Sequence, residues 1–446
     1  MGLAAAVALA LMGWPQLAAS FKDTQRYASA RNTEWVAIDL WLDSARCARQ
    51  TGVLLVVCEN GRLVPISDRS LADDPGHALI LGVLATISGK DADLVDVARV
   101  NLCINAGCLL LLAGMLFCLR LHWAALFFLV VGPPLFLNWV GLSPHWSLVG
   151  LTPAQMILPL ALVARERGFM TLRMSSVWLL IGIVLLAFAA LIREAVATTT
   201  LIVFFSVVTW VAFMRWRQRR NNAGLVGLAA MALAAAFSPT AILALRDASH
   251  RVDPARHIAS HGMSHSLYIG LGSVPNRLGI VYDDDFGYQA ALKVDPHVAY
   301  QSPEYLRIMR KLYLERVTAN PVEVLRIYFV KFKMVAGYWI LGYWMLPLWG
   351  SLPLLLFAHL AANGGRLSGG GRGADTRLAM IVLSYVFIGF IVLQNVLVMP
   401  SQFYSMPCGP LLIVMVGVTM ESIAAGLRRA LRKEAAQSPN PAGRAA

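Results

Sequence analysis

Apolar residues occur along this chain in blocks of about 18–25, separated by polar connectors. A helix needs about 20 apolar residues to cross a hydrocarbon core of about 30 Å, so each block predicts a transmembrane helix. The blocks that meet this requirement are residues 2–20, 96–119, 123–142, 147–164, 176–192, 196–214, 224–245, 333–360, 378–399 and 406–425. The pattern therefore predicts an all-α polytopic membrane protein with about ten transmembrane helices.

The amino-acid composition agrees with a membrane protein and bears on whether the partner is a lipid bilayer or a nucleic acid. The 446 residues are 58% hydrophobic and only 14% charged, whereas soluble domains average about 25% charged residues, which argues against a cytosolic enzyme. A net charge of +13 would suggest nucleic-acid binding in a soluble protein. Here the basic residues flank apolar blocks, where they orient helices, and the chain has no basic, aromatic-rich soluble segment. We therefore expect a lipid bilayer and no nucleic acid as partner.

Basic residues mark one side of the membrane. They are Arg120, Arg165, Arg167, Arg173, Arg215, Arg217, Arg219, Arg220, Arg366, Arg372, Arg377, Arg428, Arg429, Arg432 and Lys433. The short connectors on the other side contribute only Arg193. The positive-inside rule then places both termini in the cytoplasm. We expect an integral protein of the bacterial inner (cytoplasmic) membrane whose active face is extracytoplasmic, on the side of the long connectors.

Two connectors on the extracytoplasmic side are too long to be turns, and long loops in compact proteins are usually functional. Residues 1–245 hold the first seven predicted spans and the outer loop 21–95. A second extracytoplasmic loop region covers 246–332, the remaining spans cover 333–425, and a cytoplasmic basic tail covers 426–446. Residues 1–20 are interpreted as an uncleaved span, with a cleaved signal peptide as the alternative.

The sequence of the first outer loop predicts a helix followed by a β-hairpin, and it contains two cysteines beside them. Its amphipathic segment 22–50 predicts a helix along the membrane surface that ends at Gly52. Apolar residues recur there at helical spacing: Trp35, Ile38, Trp41 and Leu42. Strand-like runs around Asn60-Gly61 predict a β-hairpin at 53–66. Cys47 and Cys58 flank the helix end and the first strand, and they form either a disulfide or two small free thiols.

Carboxylates of the first loop are candidate catalytic groups. Asp73 and Asp74 precede Pro75 and either cap the helix that starts there or provide a general base for a hydroxyl or amine acceptor. Asp23, which emerges directly from the first span, is the other candidate base. The pattern alone does not choose among these three aspartates.

The second outer loop is rich in histidine and arginine. Six of these residues fall within sixteen positions: His250, Arg251, Arg256, His257, His261 and His265. They suit a phosphate, a metal ion or an ordinary solvated loop. The acidic run Asp283–Asp285 either holds a divalent cation or caps a helix beginning near Gly287, and we favour the cap.

Further along the second loop, Ser302-Pro303 and Asn320-Pro321 predict the starts of two amphipathic helices. The second of these helices carries Lys331 and Lys333, which we expect to snorkel at head-group level or to attract a lipid phosphate.

Polar residues also interrupt apolar sequence in the short outer connectors. Arg193 and Glu194 lie between the fifth and sixth predicted spans, and Tyr404 precedes the last span. Charges at such a depth are costly and usually have a partner or a role, so Arg193 and Glu194 either form a turn closed by their own ion pair or belong to a site. All these groups fall on the same side as both long loops.

This layout resembles the GT-C superfamily of membrane glycosyltransferases. The resemblance rests on a first span, a long outer loop with an acidic residue, a surface helix, a helix that opens at a proline, many further spans and a second large outer loop. It covers most of the chain as architecture. Asp23 in Phe21-Lys22-Asp23-Thr24 corresponds by position to the family acid, and Asp74-Pro75-Gly76-His77 resembles the family's later helix start. The segment from Gln402 to Pro407 looks like the aromatic-then-proline sequence before a late span.

One departure from the family pattern concerns the base. Thr24 follows Asp23 where the family commonly has a second acidic residue, so the assignment stays open between Asp23 and the pair Asp73 and Asp74.

The resemblance implies transfer of a sugar from a polyprenyl-phosphate carrier to an envelope lipid or glycan acceptor at the outer face, without a nucleotide. A first-loop carboxylate would act as the base. The candidate lipid-phosphate and substrate-binding residues are Arg193, Glu194, Arg246, His261, His265, Lys331 and Tyr404. No metal ligand is assigned and no cofactor is certain, with a divalent cation as the one alternative. Other functions consistent with the layout are a lipid-linked polysaccharide polymerase or ligase, a non-catalytic envelope scaffold, and a transporter.

Overall fold

Helices account for most of the protein in the computed structural model, which describes residues 36–66, 75–136, 147–249, 262–337, 339–340, 343–344 and 372–437. The helices of the first half are α1 (Val36–Thr51), α2 (Pro75–Ser88), α3 (Leu94–Cys118), α4 (His122–Phe136), α5 (Leu148–Ala154), α6 (Ile157–Glu166), α7 (Leu172–Ile192), α8 (Glu194–Arg217) and α9 (Ala223–Ser249). Those of the second half are α10 (Met263–Gly270), α11 (Asp284–Leu292), α12 (Pro303–Ala319), α13 (Pro321–Gly337), α14 (Arg372–Leu397), α15 (Gln402–Ser405) and α16 (Cys408–Gln437). Two antiparallel strand pairs complete the described elements: β1 (Val56–Glu59) with β2 (Arg62–Pro65), and β3 (Trp339–Ile340) with β4 (Tyr343–Trp344).

Among the residues that the structure describes, seven helical segments are long and apolar enough to cross a membrane. They are Leu94–Cys118, Leu148–Glu166, Leu172–Ile192, Glu194–Arg217, Ala223–Arg246, Thr376–Leu397 and Cys408–Arg428. Seven of the ten predicted spans are thereby confirmed as membrane-length helices, and the fold is that of a mostly helical membrane protein. The predicted span 2–20 lies outside the described residues, and 123–142 and 333–360 lie only partly within them, so the count of ten stays a prediction.

Small residues and buried amides set how closely the spans pack. Gly150 of α5 lies against the backbone of Asn105 in α3, and its N–H donates to Asn105 Oδ1 at 2.8 Å. Gly182 of α7 lies directly over Leu158 of α6. Where neither water nor a hydrophobic force between helices is available, such close contacts and internal hydrogen bonds hold spans together.

One end of the bundle carries the arginines of two connectors and is called the arginine-rich end below. There α6 and α8 finish side by side, and Glu166 accepts hydrogen bonds from Arg215, with Nε 2.9 Å from Oε2. The opposite end carries residues 36–66 and 262–337 and is called the loop end. The arginines and the long loops thus lie at opposite ends of the bundle, in agreement with the sequence pattern in which basic residues mark one side of the membrane.

The β-hairpin predicted in the first loop is confirmed, and of the two alternatives left open for Cys47 and Cys58 the structure contains the disulfide. The strands pair as predicted around Asn60 and Gly61, whose φ angles of 48° and 76° are those of a type I′ turn. Cys47 of α1 is bonded to Cys58 of β1, so the hairpin is fastened to the helix.

The surface position expected for Trp41 is wrong. Its side chain is 1% exposed and stacks on His77 of α2, with ring centroids 4.4 Å apart. The helix α2 covers this face of α1, so burial between the two helices replaces contact with the membrane interface. The predicted helix end at Gly52 (φ 74°) and the helix start at Pro75 are as expected.

We expect the Cys58→Ser change to lower stability by about 3 kcal/mol, because the disulfide closes a short loop and restricts the unfolded chain. Thermal unfolding of the purified protein under non-reducing conditions measures this effect. Cys103→Ser is the matched control, since Cys103 is an exposed free cysteine. Equal melting temperatures for the two variants would contradict the assignment.

The second outer loop folds around its own apolar core, formed by α10 to α13. Asp283 accepts from the N–H groups of Asp285 and Phe286 and caps α11, so the favoured capping role is confirmed, with the helix starting at Asp284 rather than near Gly287. Ser302 caps α12 through the Tyr305 N–H at 3.1 Å, as predicted. Because α13 packs on α14, this unit is attached directly to the spans.

Candidate functional site

Arg193 sits at the sharp junction between α7 and α8, at the loop end of the bundle. Its extended backbone ends α7, and the next residue begins α8. The guanidinium Nη2 donates to the hydroxyl of Tyr404 at 3.2 Å, and its Cζ lies 5.8 Å from the centre of that ring. Two candidates separated by 211 residues in sequence are thus brought into contact.

These residues border a cavity of about 400 Å³, called the outer cavity below, that lies between α8, α10 and α14. Its lining residues are Arg193, Glu194, Ala195, Thr198, Thr199, Ile202, Gly262, Met263, Ser266, Leu267, Phe390, Leu393, Gln394, Leu397, Val398 and Tyr404. The polar groups Arg193, Glu194 and Tyr404 stand at the loop end. Ile202 and Leu393, each about half exposed, stand further along the spans on the face that lipid tails would cover. The cavity therefore changes from charged to apolar along the membrane normal.

His265 lies in α10 behind the cavity wall and is fully buried. Its Nε2 is 3.0 Å from Asp284 Oδ1, and its Nδ1 is 2.5 Å from the hydroxyl of Tyr305. With Asp284 ionised, Nε2 donates to the carboxylate and Nδ1 accepts from the tyrosine. Burial, the largest influence, raises the pKa of Tyr305 and keeps it a proton donor. His265 thus positions α10, whose Met263 and Ser266 face the cavity.

Tyr282 is 37% exposed and lies close enough to both the arginine and Asp284 to interact with them electrostatically. Its partial burial, followed by the nearby Tyr404 and Asp284, raises the pKa of Tyr282, while Arg193 acts in the opposite direction. Sequence reasoning missed Tyr282 and Tyr305 as members of the site. The only available signal was that Tyr282 directly precedes the acidic run, and nothing in the sequence indicated the partner of Tyr305.

Lys331 differs from its expected position. It is fully buried, and its ammonium donates to the backbone carbonyls of Val398 at 2.9 Å and Leu397 at 3.3 Å. It does not snorkel, because the carbonyls at the end of α14 lack helical partners and attract a cation. Leu397 and Val398 also line the outer cavity, so Lys331 holds one wall of it in place.

Burial lowers the pKa of Lys331 to about 7. In the unfolded chain this pKa is about 10.4, so between pH 7 and about 10 the unfolded state binds more protons and stability increases with pH. We expect the free energy of unfolding to increase by at most about 1.4 kcal/mol per pH unit above pH 7. This increase should be absent from the Lys331→Met variant. Thermal unfolding as a function of pH measures it. Lys333→Met, which changes an exposed lysine of the same helix, should keep the wild-type slope, and a wild-type slope in Lys331→Met would contradict the prediction.

The other candidates fall elsewhere or outside the described residues. Arg246 donates to the Leu55 carbonyl at 2.6 Å, which fastens α9 to the segment before the hairpin rather than to the outer cavity. Asp23, Asp73, Asp74 and His261 lie outside the described residues. In the part of the chain that the structure describes, no group of three His, Cys, Asp or Glu side chains is placed to hold a metal ion.

The start of α2 is close to the arginine. A Cβ added to Gly76 would lie 2.7 Å from Ile192 Cδ1 and 2.8 Å from the carbonyl oxygen of Leu191, so only glycine allows this contact with the end of α7. The residue after Ile192 is Arg193, and α2 therefore begins beside the polar end of the outer cavity. This arrangement can hold an anion at its arginine and an apolar chain along its spans. No protein-family model, curated protein or solved structure matches this chain.

Proposed function

We propose that this chain is a membrane glycosyltransferase of GT-C type, which moves a sugar from a polyprenyl-phosphate carrier to an envelope lipid or glycan acceptor. The observation that carries the proposal is the polarity of the outer cavity, with Arg193 and Tyr404 at one end and Ile202 and Leu393 at the other. The proposed enzyme has ten spans in a bacterial inner membrane, both termini in the cytoplasm and the loop end outside.

The two ends of the outer cavity suit two parts of this donor, its phosphate and the adjoining part of its apolar chain. A polyprenyl phosphate is an apolar chain that ends in an anion at the membrane surface. Ile202 and Leu393 would contact the chain where lipid tails reach the spans, and Arg193 would hold the phosphate through charge-assisted hydrogen bonds. The apolar surroundings strengthen this attraction relative to water.

The reaction needs a base and a stabilised leaving group. The base removes the acceptor's proton, the acceptor oxygen or nitrogen bonds to the anomeric carbon, and the bond from that carbon to the phosphate oxygen breaks. Polyprenyl phosphate leaves with the electron pair, and Arg193 with the Tyr404 hydroxyl offsets the charge that develops on it. Lys331 supports the cavity wall instead of binding the phosphate.

We take Asp74 as the preferred base and Asp23 as its rival. Asp74 precedes Gly76 by two positions in the sequence, and Gly76 packs beside the residues that lead to Arg193. A carboxylate near the phosphate site would accept a proton from an incoming hydroxyl or amine. Asp73 remains a neighbour that could substitute for it.

Binding of polyprenyl phosphate itself tests the donor site without knowledge of the sugar. The purified protein should bind polyprenyl phosphate more tightly than the uncharged polyprenol of equal length. Ile202→Trp should weaken this binding by filling the apolar part of the cavity. Leu233→Trp, at an exposed apolar position of α9 outside the cavity lining, should leave it unchanged. Equal affinity for the alcohol and the phosphate, or no effect of Ile202→Trp, would contradict the proposal.

A further inference from the structure

A second cavity lies nearer the arginine-rich end, between α6, α8 and α14. Its volume is about 430 Å³, within the range of about 300–1,000 Å³ typical of ligand pockets. The lining residues are Val163, Arg167, Val203, Ser206, Val207, Trp210, Leu378, Ala379, Val382, Leu383, Val386 and Phe390. Arg167 is the single charged member of this set. The cavity is thus an apolar groove with one cation at its mouth.

The mouth of the groove has the composition of a membrane boundary. Arg167 follows the end of α6, and its Cζ lies 5.4 Å from the centre of the Trp210 ring. Trp210 is 42% exposed, and Val382 on the facing helix is 48% exposed. Tryptophan and arginine concentrate at the level of lipid head groups, while exposed aliphatic side chains mark the level of the acyl chains. The groove is therefore open sideways towards the lipid.

The connectors around the mouth of the groove carry a net positive charge, which favours binding of an anion. Residues 165–173 and 215–222, the two connectors at this end, contain seven arginines and one acidic residue, Glu166. Glu166 is already held by Arg215. Basic clusters next to membrane spans attract the anionic head groups of the adjacent leaflet. The groove thus offers an apolar channel for a chain and a positive rim for a phosphate.

We propose that this groove binds an anionic diacyl phospholipid of the leaflet at the arginine-rich end, with one acyl chain in the groove and the phosphate at Arg167. A phospholipid fits because its phosphate and chains have the same order as the arginine and the apolar lining. Phe390 lines both cavities, so an acyl chain in the groove would contact a side chain that also lines the outer cavity. This lipid site is separate from the proposed sugar transfer and does not depend on it.

Native mass spectrometry of the full chain, exchanged between phosphatidylglycerol and phosphatidylcholine with identical chains, tests the site. The wild type should retain phosphatidylglycerol preferentially. Arg167→Gln should lower that affinity by about fivefold, the effect of removing one cation from a lipid phosphate. Arg217→Gln is the matched control, because Arg217 lies 5.9 Å over the Phe213 ring at the same end but lines neither cavity.

A second variant tests the chain-binding part. Ser206→Phe places a ring into the groove from an exposed position, so the core is left intact. It should reduce retention of both lipids to a similar extent, whereas Arg167→Gln should reduce retention of phosphatidylglycerol more than that of phosphatidylcholine, whose choline cation already offsets the phosphate charge. The proposal is overturned if Arg217→Gln loses as much as Arg167→Gln, which would indicate unspecific attraction to the basic surface. It is equally overturned if both Arg167→Gln and Ser206→Phe retain lipid like the wild type.

Discussion

Replacing Arg193 with glutamine is expected to reduce sugar transfer by about 10²–10³-fold, the loss seen when one donor to a developing anion is removed. Glutamine keeps a polar side chain at the junction of α7 and α8 but has no charge to offset that of the departing phosphate. Transfer is followed as release of polyprenyl phosphate from the sugar donor in proteoliposomes. The protein should still fold, because the junction of α7 and α8 is made by the backbone of residue 193, whose N–H donates to the Ala189 carbonyl, and its side chain does not cap α8.

Two companion variants make this result interpretable. Arg193→Lys keeps the charge but not the geometry of the contact with Tyr404, so it should retain partial activity. Arg217→Gln removes an arginine at the opposite end and should transfer normally. Wild-type turnover by Arg193→Gln would remove this residue from the site and with it the donor-binding argument.

A second large loss, this time of stability, is expected where the spans α6 and α7 pack against each other. Gly182→Leu should destabilise the protein by more than about 3 kcal/mol, because even an added Cβ would lie 2.8 Å from the Cα and Cβ of Leu158. The helices α6 and α7 would have to separate. Thermal stability in detergent, followed by size-exclusion chromatography after heating, measures the loss.

The matched control for this prediction is Gly227→Leu in α9, where nothing lies within 4 Å of an added Cβ. That change should be neutral or slightly stabilising, because leucine favours helix more than glycine does. A Gly182 variant as stable as the Gly227 variant would show that α6 and α7 do not approach as closely as described.

Local features of this fold could be predicted from the sequence because their causes are local. The length of apolar blocks predicts spans wherever lipid is the solvent, and the Asn60-Gly61 pair predicts the hairpin because both positions need positive φ. The caps of Asp283 and Ser302 were predictable for the same reason, since each bonds to backbone within a few residues.

The site was only partly predictable, because its contacts join residues far apart in the chain. Arg193, Glu194 and Tyr404 were candidates, but their meeting in one cavity follows from how α8 and α14 pack. Lys331 looked like a surface lysine, and only the position of the α14 terminus explains its burial. The partners of His265 likewise come from two other helices, α11 and α12. The residue pattern within one helix does not indicate which side chains of other helices it contacts.

Mass spectrometry of envelope glycolipids and glycans tests the proposed transfer most directly. Cells lacking this protein would be compared with cells complemented by the wild type, Asp74→Asn, Asp23→Asn or Arg193→Gln. We expect one sugar to disappear from an envelope lipid or glycan in the deletion and to return with the wild type but not with Arg193→Gln or Asp74→Asn. If Asp23→Asn fails instead of Asp74→Asn, the base is Asp23. A deletion that changes no glycan would contradict the transferase and favour a scaffold or a transporter.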